Sequence, residues 1–139
     1  MKAAIYRFAS DPQNKLAVIS SIASTGPQSA LVGIAVTPEL EIVFDTVRHS
    51  RKYPNLIADP RCSFVIGTTT ATTVQFEGLA REVSDPAELA KLKTVYFTVF
   101  PDGPSRESWP GIVYIAVKPI WIRLSDYGET PPTIEALSF

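Results

Sequence analysis

Apolar residues recur along this chain at two spacings, and the switches between them mark its elements. Residues 2–9 set Ile5 and Phe8 three apart, on one face of a short amphipathic helix. Ser10-Asp11-Pro12 ends it. Residues 16–23, with Val18, Ile19 and Ile22, read as a strand, and Ser24-Thr25-Gly26-Pro27 as a turn. Residues 30–36 form a second apolar strand in which Gly33 permits close backbone approach. Thr37-Pro38-Glu39-Leu40 then leads into a strand over 41–46, and these two strands are predicted to pair as a hairpin.

Ser50 or His49 begins a predicted short helix, with Tyr53, Leu56 and Ile57 on its inner face. Pro54 falls in its first turn, where a missing N–H costs little. Asp59-Pro60 closes it. Residues 61–67 alternate Cys62, Phe64 and Ile66 against Ser63 and Val65, the period of a half-buried strand. A Thr68-Thr69-Thr70 loop leads to a longer strand over 72–83, with Gly78 as an expected bulge. Asp85-Pro86-Ala87-Glu88 combines a capping Asp, a first-turn Pro and an acid three after the cap, so a helix is predicted from there to about Val99. After a polar loop through Trp109, residues 112–117 and 120–124 read as strand pieces separated by Pro119. The tail over 128–139 is rich in Pro and expected to be extended. Roughly six strands with segregated helices predict an α+β fold built on an antiparallel, closed or partly closed β-barrel.

Composition narrows the partners. A length of 139 residues fits one domain over 1–139. Lys and Arg total 13 against 14 Asp and Glu, which excludes a polybasic nucleic-acid coat but leaves room for a local phosphate site. Cys62 and His49 are the single cysteine and histidine, so neither an intrachain disulfide nor a protein-only zinc site is expected. The start, Met1-Lys2-Ala3-Ala4-Ile5-Tyr6-Arg7, has no apolar core before a cleavage site, and no apolar run reaches a membrane span. A soluble, cytoplasmic chain without a membrane partner is the expectation.

The richest segment is Phe44-Asp45-Thr46-Val47-Arg48-His49-Ser50-Arg51-Lys52. It sets a hydroxyl, a guanidinium and an ammonium together where a strand gives way to a helix. Arg grips phosphate with parallel hydrogen bonds, Lys adds a point charge, and free N–H groups at a helix start favour an anion. Exposed Lys and Arg are also the commonest surface feature, so the motif alone leaves a solvated helix start open.

The stretch from Phe44 through Ser50-Arg51-Lys52 to Asp59-Pro60-Arg61-Cys62-Ser63-Phe64 resembles the signature of pyridoxamine 5'-phosphate oxidase-like, FMN-binding split-barrel proteins. The likeness extends over most of the chain and implies an antiparallel six-stranded split barrel with short flanking helices. It implies a homodimer with FMN at the subunit interface. Ser50, Arg51 and Lys52 would hold the FMN phosphate, with Thr46 and its neighbour Asp45 beside them. The backbone of Ala30, Leu31, Val32, Gly33 and Ile34 would flank the isoalloxazine ring, Gly33 leaving room for it. Thr73 and Gln75 would reach the cofactor from the other subunit, and Trp121 would stand near the flavin.

Departures from the family's pattern limit the activity. The vitamin oxidases carry Arg and Lys where this chain has Ala30 and Ala35, and Arg where it has Phe100. Their late Arg-Leu-His-Asp-Arg reads Arg123-Leu124-Ser125-Asp126-Tyr127 here. A dianionic substrate phosphate needs cationic partners once desolvated, so pyridoxine or pyridoxamine phosphate oxidation is not expected. The resemblance points instead to the shorter general-stress or oxidase-related branch: an FMN-dependent oxidoreductase acting on a small molecule. The alternatives are a deazaflavin-dependent reductase and a non-catalytic flavin- or haem-binding module. No catalytic side chain is assigned. His49 reads as an exposed loop residue, Cys62 as buried and inert, and Glu77, Glu82 and Asp85 as a solvated strand face.

Overall fold

The computed structural model describes residues 1–139. Three helices, α1 (Lys2–Ala9), α2 (Lys52–Ala58) and α3 (Pro86–Val99), accompany eight strands: β1 (Leu16–Ala23), β2 (Gly26–Gly33), β3 (Ala35–Val36), β4 (Ile42–Val47), β5 (Arg61–Ile66), β6 (Thr72–Glu82), β7 (Ile112–Asp126) and β8 (Thr133–Ser138). All strand pairs are antiparallel, in the order β2-β1-β5-β6-β7-β4-β3, with β8 also on β7. The two ends of that order, β2 and β3, are joined by Ile34 alone. So short a link forces the sheet to curl until its ends meet, as a barrel does.

Alternation fills the inside. Ile19, Phe44, Phe64, Phe76, Ile115 and Ile122 are all buried. Phe64 meets Phe44 and Phe76 edge-on, at centroid distances of 6.1 and 5.8 Å, the favoured aromatic geometry. Ile5 and Ala9 of α1 plug one end of the barrel against Val36, Leu40 and Ile66. The Asp85 carboxylate caps α3 by accepting from the Glu88 N–H at 2.9 Å. No helix is long and apolar enough to cross a membrane.

Several expected boundaries move. The strand predicted over 30–36 begins at Gly26, turns tightly from β1, and breaks at Ile34, where the chain changes partner from β1 to β4. The pieces on either side of Pro119 form one 15-residue strand, β7. The bulge expected at Gly78 lies at that place, but the extra residue is Ile120 on β7: Glu77 faces Trp121 while Gly78 faces Pro119. A Cβ on Gly78 would meet the Lys118 carbonyl oxygen at 2.5 Å, so only glycine fits. The tail is a paired strand, β8, rather than free extended chain. In α2, Leu56 is buried but Ile57 is exposed. Asn55 takes the inward place and donates to Ser21 Oγ (3.1 Å) and Gln28 Oε1 (2.9 Å). The six-stranded expectation thus becomes eight, the additions being the two-residue β3 and the tail strand.

Candidate functional site: an unpaired cation groove and a separate aromatic platform

Strand β4 ends at Val47, and a turn brings the Ser50 N–H to the Val47 carbonyl at 3.0 Å. Across that turn the Thr46 hydroxyl donates to Ser50 Oγ at 3.1 Å. Arg51 then sits at the head of α2, directly before Lys52. α2 has only seven residues, so the side chains carry the case for an anion here, not a helix dipole. Arg51 and Lys52 line a groove of about 190 Å³ with Ile19, Ser21, Gln28, Ser29 and Ala30. The structure therefore brings Ala30 and the Arg51–Lys52 pair together, with Thr46 and Ser50 on the adjoining turn.

These two cations combine a shared groove with a lack of acids. Arg48 holds Glu82, Arg61 holds Asp59, Arg81 holds Glu41 and Glu88, and Arg106 holds Asp45 and Asp102. Neither Arg51 nor Lys52 has a carboxylate partner. Lys52 is half-buried, and this desolvation holds its ammonium below the usual lysine range. A partly desolvated cation without a counter-charge, among serine hydroxyls and an amide, is a site that an anion would stabilise.

Thr73, Gln75 and Trp121 also come together, but elsewhere. They share a depression of about 240 Å³ with Ser63, Val65 and Glu77. Alternation decides which side of the sheet this is. Val74 and Phe76 point into the core, so Thr73, Gln75 and Glu77 point out. The groove residues Ile19 and Ser21 point the other way, beneath α2. The groove residues Ile19, Ser21, Gln28 and Ala30 thus lie on the face opposite the platform, and Ser29 stands on the platform's side.

Two residues beside the platform carry unmet polar atoms. Arg123 Nε and Ser125 Oγ are buried without a hydrogen-bond partner. Arg123 is paired in register with Gln75 and Ser125 with Thr73, and the Arg123 guanidinium lies 5.8 Å from the Trp121 ring centroid. The spacing 121, 123, 125 on one strand is the signal that places them with Trp121, and reading the sequence as a motif had passed over it. Orphaned donors next to an aromatic face fit a flat, oxygen-bearing ligand.

Two of the expected site residues have other neighbours within the chain. Asp45 does not join Thr46: on a strand, neighbours point to opposite faces. Its carboxylate accepts from Arg106 Nε (2.8 Å) and from the Tyr96 hydroxyl (3.0 Å), a half-buried network on the α3 side. Burial first, and then the Asp45 charge, raise the Tyr96 phenol above its usual range. Gly33 does leave room for a flat ring, but the ring is Phe100, whose Cζ stands 2.6 Å from where a Cβ would be. Around it the stretch divides: Leu31 is exposed, while Val32 and Ile34 are buried in the core. β2 pairs only with β1, so its outer backbone edge lacks a strand partner. Cys62 is buried, and desolvation pushes its thiol up to about 12, which fits the inert reading. His49 is exposed.

An antiparallel α+β sheet curled into a barrel, with a basic turn at one strand end, defines the split-barrel class. The chain belongs to the pyridoxamine 5'-phosphate oxidase family, whose model matches residues 3–126. No curated protein matches the chain in sequence. Similar solved structures include a haem-binding protein from Mycobacterium smegmatis, at 16% identity and TM-score 0.81, covering 99% of this chain and 58% of that one. General stress protein 26 from Bacillus anthracis is similar at 19% identity and TM-score 0.70, covering 99% and 100%. A pyridoxamine 5'-phosphate oxidase-related, FMN-binding protein from Nostoc punctiforme is similar at 10% identity and TM-score 0.69, covering 99% and 95%. At these identities the likeness shows a shared fold.

Proposed function

We propose that this protein binds FMN as a homodimer and serves as a cytoplasmic oxidoreductase for a small molecule. The observation that carries the reading is the pairing of Arg51 with the half-buried Lys52, without acids, in a groove lined by Ser21, Gln28 and Ser29. That groove suits a terminal phosphate. Across the sheet, Trp121, Gln75 and the orphaned Arg123 Nε suit a flat heteroaromatic ring with carbonyl oxygens. Because the two lie on opposite faces, one FMN would take the groove of one protomer and the platform of its partner. Bound FMN would supply the redox chemistry, and the chain would bind it, orient it and limit water around it.

Oxidation of a pyridoxine phosphate ester is not part of this proposal. Ala35 is buried, Phe100 packs on Gly33, and Ser125 and Tyr127 bring no charge. None of them offers a second phosphate the cation it needs.

Titration of the purified protein with FMN tests the binding, and mixed dimers test the sharing. A chain with Arg51→Ala and Lys52→Ala, and a chain with Gln75→Ala and Trp121→Ala, each fail to retain flavin. Mixed together, they rebuild one intact site per heterodimer and recover part of the binding. No recovery would sink the shared site, and a wild-type protein that takes up no FMN would sink the cofactor. A Soret band on adding haem, without a flavin spectrum on adding FMN, would replace this reading with the haem-binding one.

A further inference from the structure

Residues 48–51 form the turn between β4 and α2, and Lys52 opens the helix; besides the Ser50 bonds inside the turn, the segment is held at both ends. Both ends are held by one side chain. Glu82, the last residue of β6, accepts from Arg48 at 3.1 Å through Oε2 and from the Tyr53 hydroxyl at 2.6 Å through Oε1. Arg48 precedes the segment that carries Ser50, Arg51 and Lys52, and Tyr53 follows it. On the near side the Arg48 N–H adds a bond to the Gly111 carbonyl at 2.9 Å. The Arg48 side chain is mostly exposed and the Glu82 side chain only a quarter exposed, so the Tyr53 bond is the better shielded of the two.

The clamp has an electrostatic side. Glu82 is an acid near a groove that would hold an anion. Its charge is met by Arg48 and its second oxygen by a phenol, which leaves Arg51 and Lys52 uncommitted. Glu82 therefore fixes the geometry of the turn without consuming the cations that the anion requires.

We propose that Glu82 is a positioning residue for anion binding, holding Arg48 and Tyr53 on either side of the 49–52 segment so that Arg51 and Lys52 converge on one phosphate. The proposal rests on the phosphate reading of the groove and adds to it a residue that touches no ligand.

The test uses the full chain with Tyr53→Phe and, separately, Glu82→Gln. Three ligands are titrated: FMN, riboflavin (which lacks the phosphate) and inorganic phosphate, the last followed by amide shifts at residues 50–53. Losing a shielded hydrogen bond at either end of the clamp weakens FMN and inorganic phosphate about fivefold to tenfold while riboflavin changes less than about twofold. A merely structural role for Glu82 would weaken FMN and riboflavin together, and that result overturns the proposal. Unchanged FMN and phosphate affinities in both variants overturn it as well. If the wild type binds phosphate but no flavin, the FMN reading fails by itself. The phosphate titration then decides: weaker binding in the variants upholds the clamp and equal binding overturns it. A wild type that binds neither FMN nor inorganic phosphate overturns both.

Discussion

At one corner of the barrel Arg106 and Lys93 stand among acids. At another, Arg51 and Lys52 stand without them. Arg106 donates to Asp45 and Asp102, and Lys93 donates to Glu107 and lies 4.9 Å from the Tyr114 ring centroid. Every charge there has an internal partner, and the result is a brace between α3, β4 and the loop before β7. The groove corner has the same kinds of side chain, but no carboxylate near enough to hold them. Cation content does not separate a brace from a binding site; unmet charge within a half-buried groove does.

Replacing Arg51 and Lys52 together by Ala should break the contrast most severely. Loss of two charge-assisted contacts weakens FMN by at least about a hundredfold. Unfolding free energy changes little, because neither residue holds an internal partner. Flavin fluorescence titration beside urea denaturation reads both, and unchanged FMN binding would refute the groove's assignment.

Arg106→Met should give the converse result. It strands the half-buried Asp45 carboxylate and lowers stability by about 2–4 kcal/mol in denaturant melts. FMN affinity holds in the folded protein. If flavin binding drops and stability does not, the two corners have exchanged roles.

Lys52 offers a finer probe through pH. Its ammonium titrates below the ordinary 10.5 because it is partly desolvated. As pH rises through that lowered value, the charge is lost and FMN affinity falls by about tenfold, the worth of one charge-assisted contact. Lys52→Arg removes this alkaline limb. Stability moves with the opposite sign: between the lowered folded value and 10.5 the unfolded chain holds the proton more firmly, so rising pH favours the folded state. An FMN titration series from neutral to alkaline pH checks the first effect. A limb no lower than that of an ordinary lysine would contradict it.

Arg81→Ala should have the smallest effect. Arg81 pairs with Glu41 and Glu88 at the surface, and removing it costs under about 1 kcal/mol, less still in salt. A larger loss would mean that surface pairing matters more to this barrel than partial burial does.

Much of the fold was legible because it rests on local chemistry. The Asp85 cap, the alternation of Cys62, Phe64 and Ile66, and the bulge at Gly78 are each written in a few adjacent residues. The break at Ile34 was not, since whether an apolar run is one strand or two depends on which neighbours it meets in space. The union of 112–117 with 120–124 was hidden for the same reason: Pro119 reads as an interruption until its place opposite Gly78, beside the extra Ile120, is known. At the site, Ser50-Arg51-Lys52 stood out as a motif. The misplacement of Asp45 came from reading adjacency in sequence as adjacency in space, which a strand reverses at each residue. Arg123 and Ser125 needed the register with Gln75 and Thr73 before their company became visible. In sequence Glu82 reads as a solvated face, and only the fold shows which turn it restrains.

The central position of β7 has a consequence for how the chain acquires its shape. Its 15 residues complete the edges of β4, β6 and β8, yet its first residue comes 65 positions after the end of β4, Val47 and Ile112 being register partners. During synthesis the β1–β2 hairpin and the β5–β6 pair can form early from nearby residues. The barrel stays open until β7 emerges, and for that interval β4 and β6 present unpaired backbone edges beside apolar side chains. A nascent chain of this design depends on late, distant pairing and is slow to fold by topology. Its window of exposure to other unfinished chains is set by the ribosome's passage from β6 to β7.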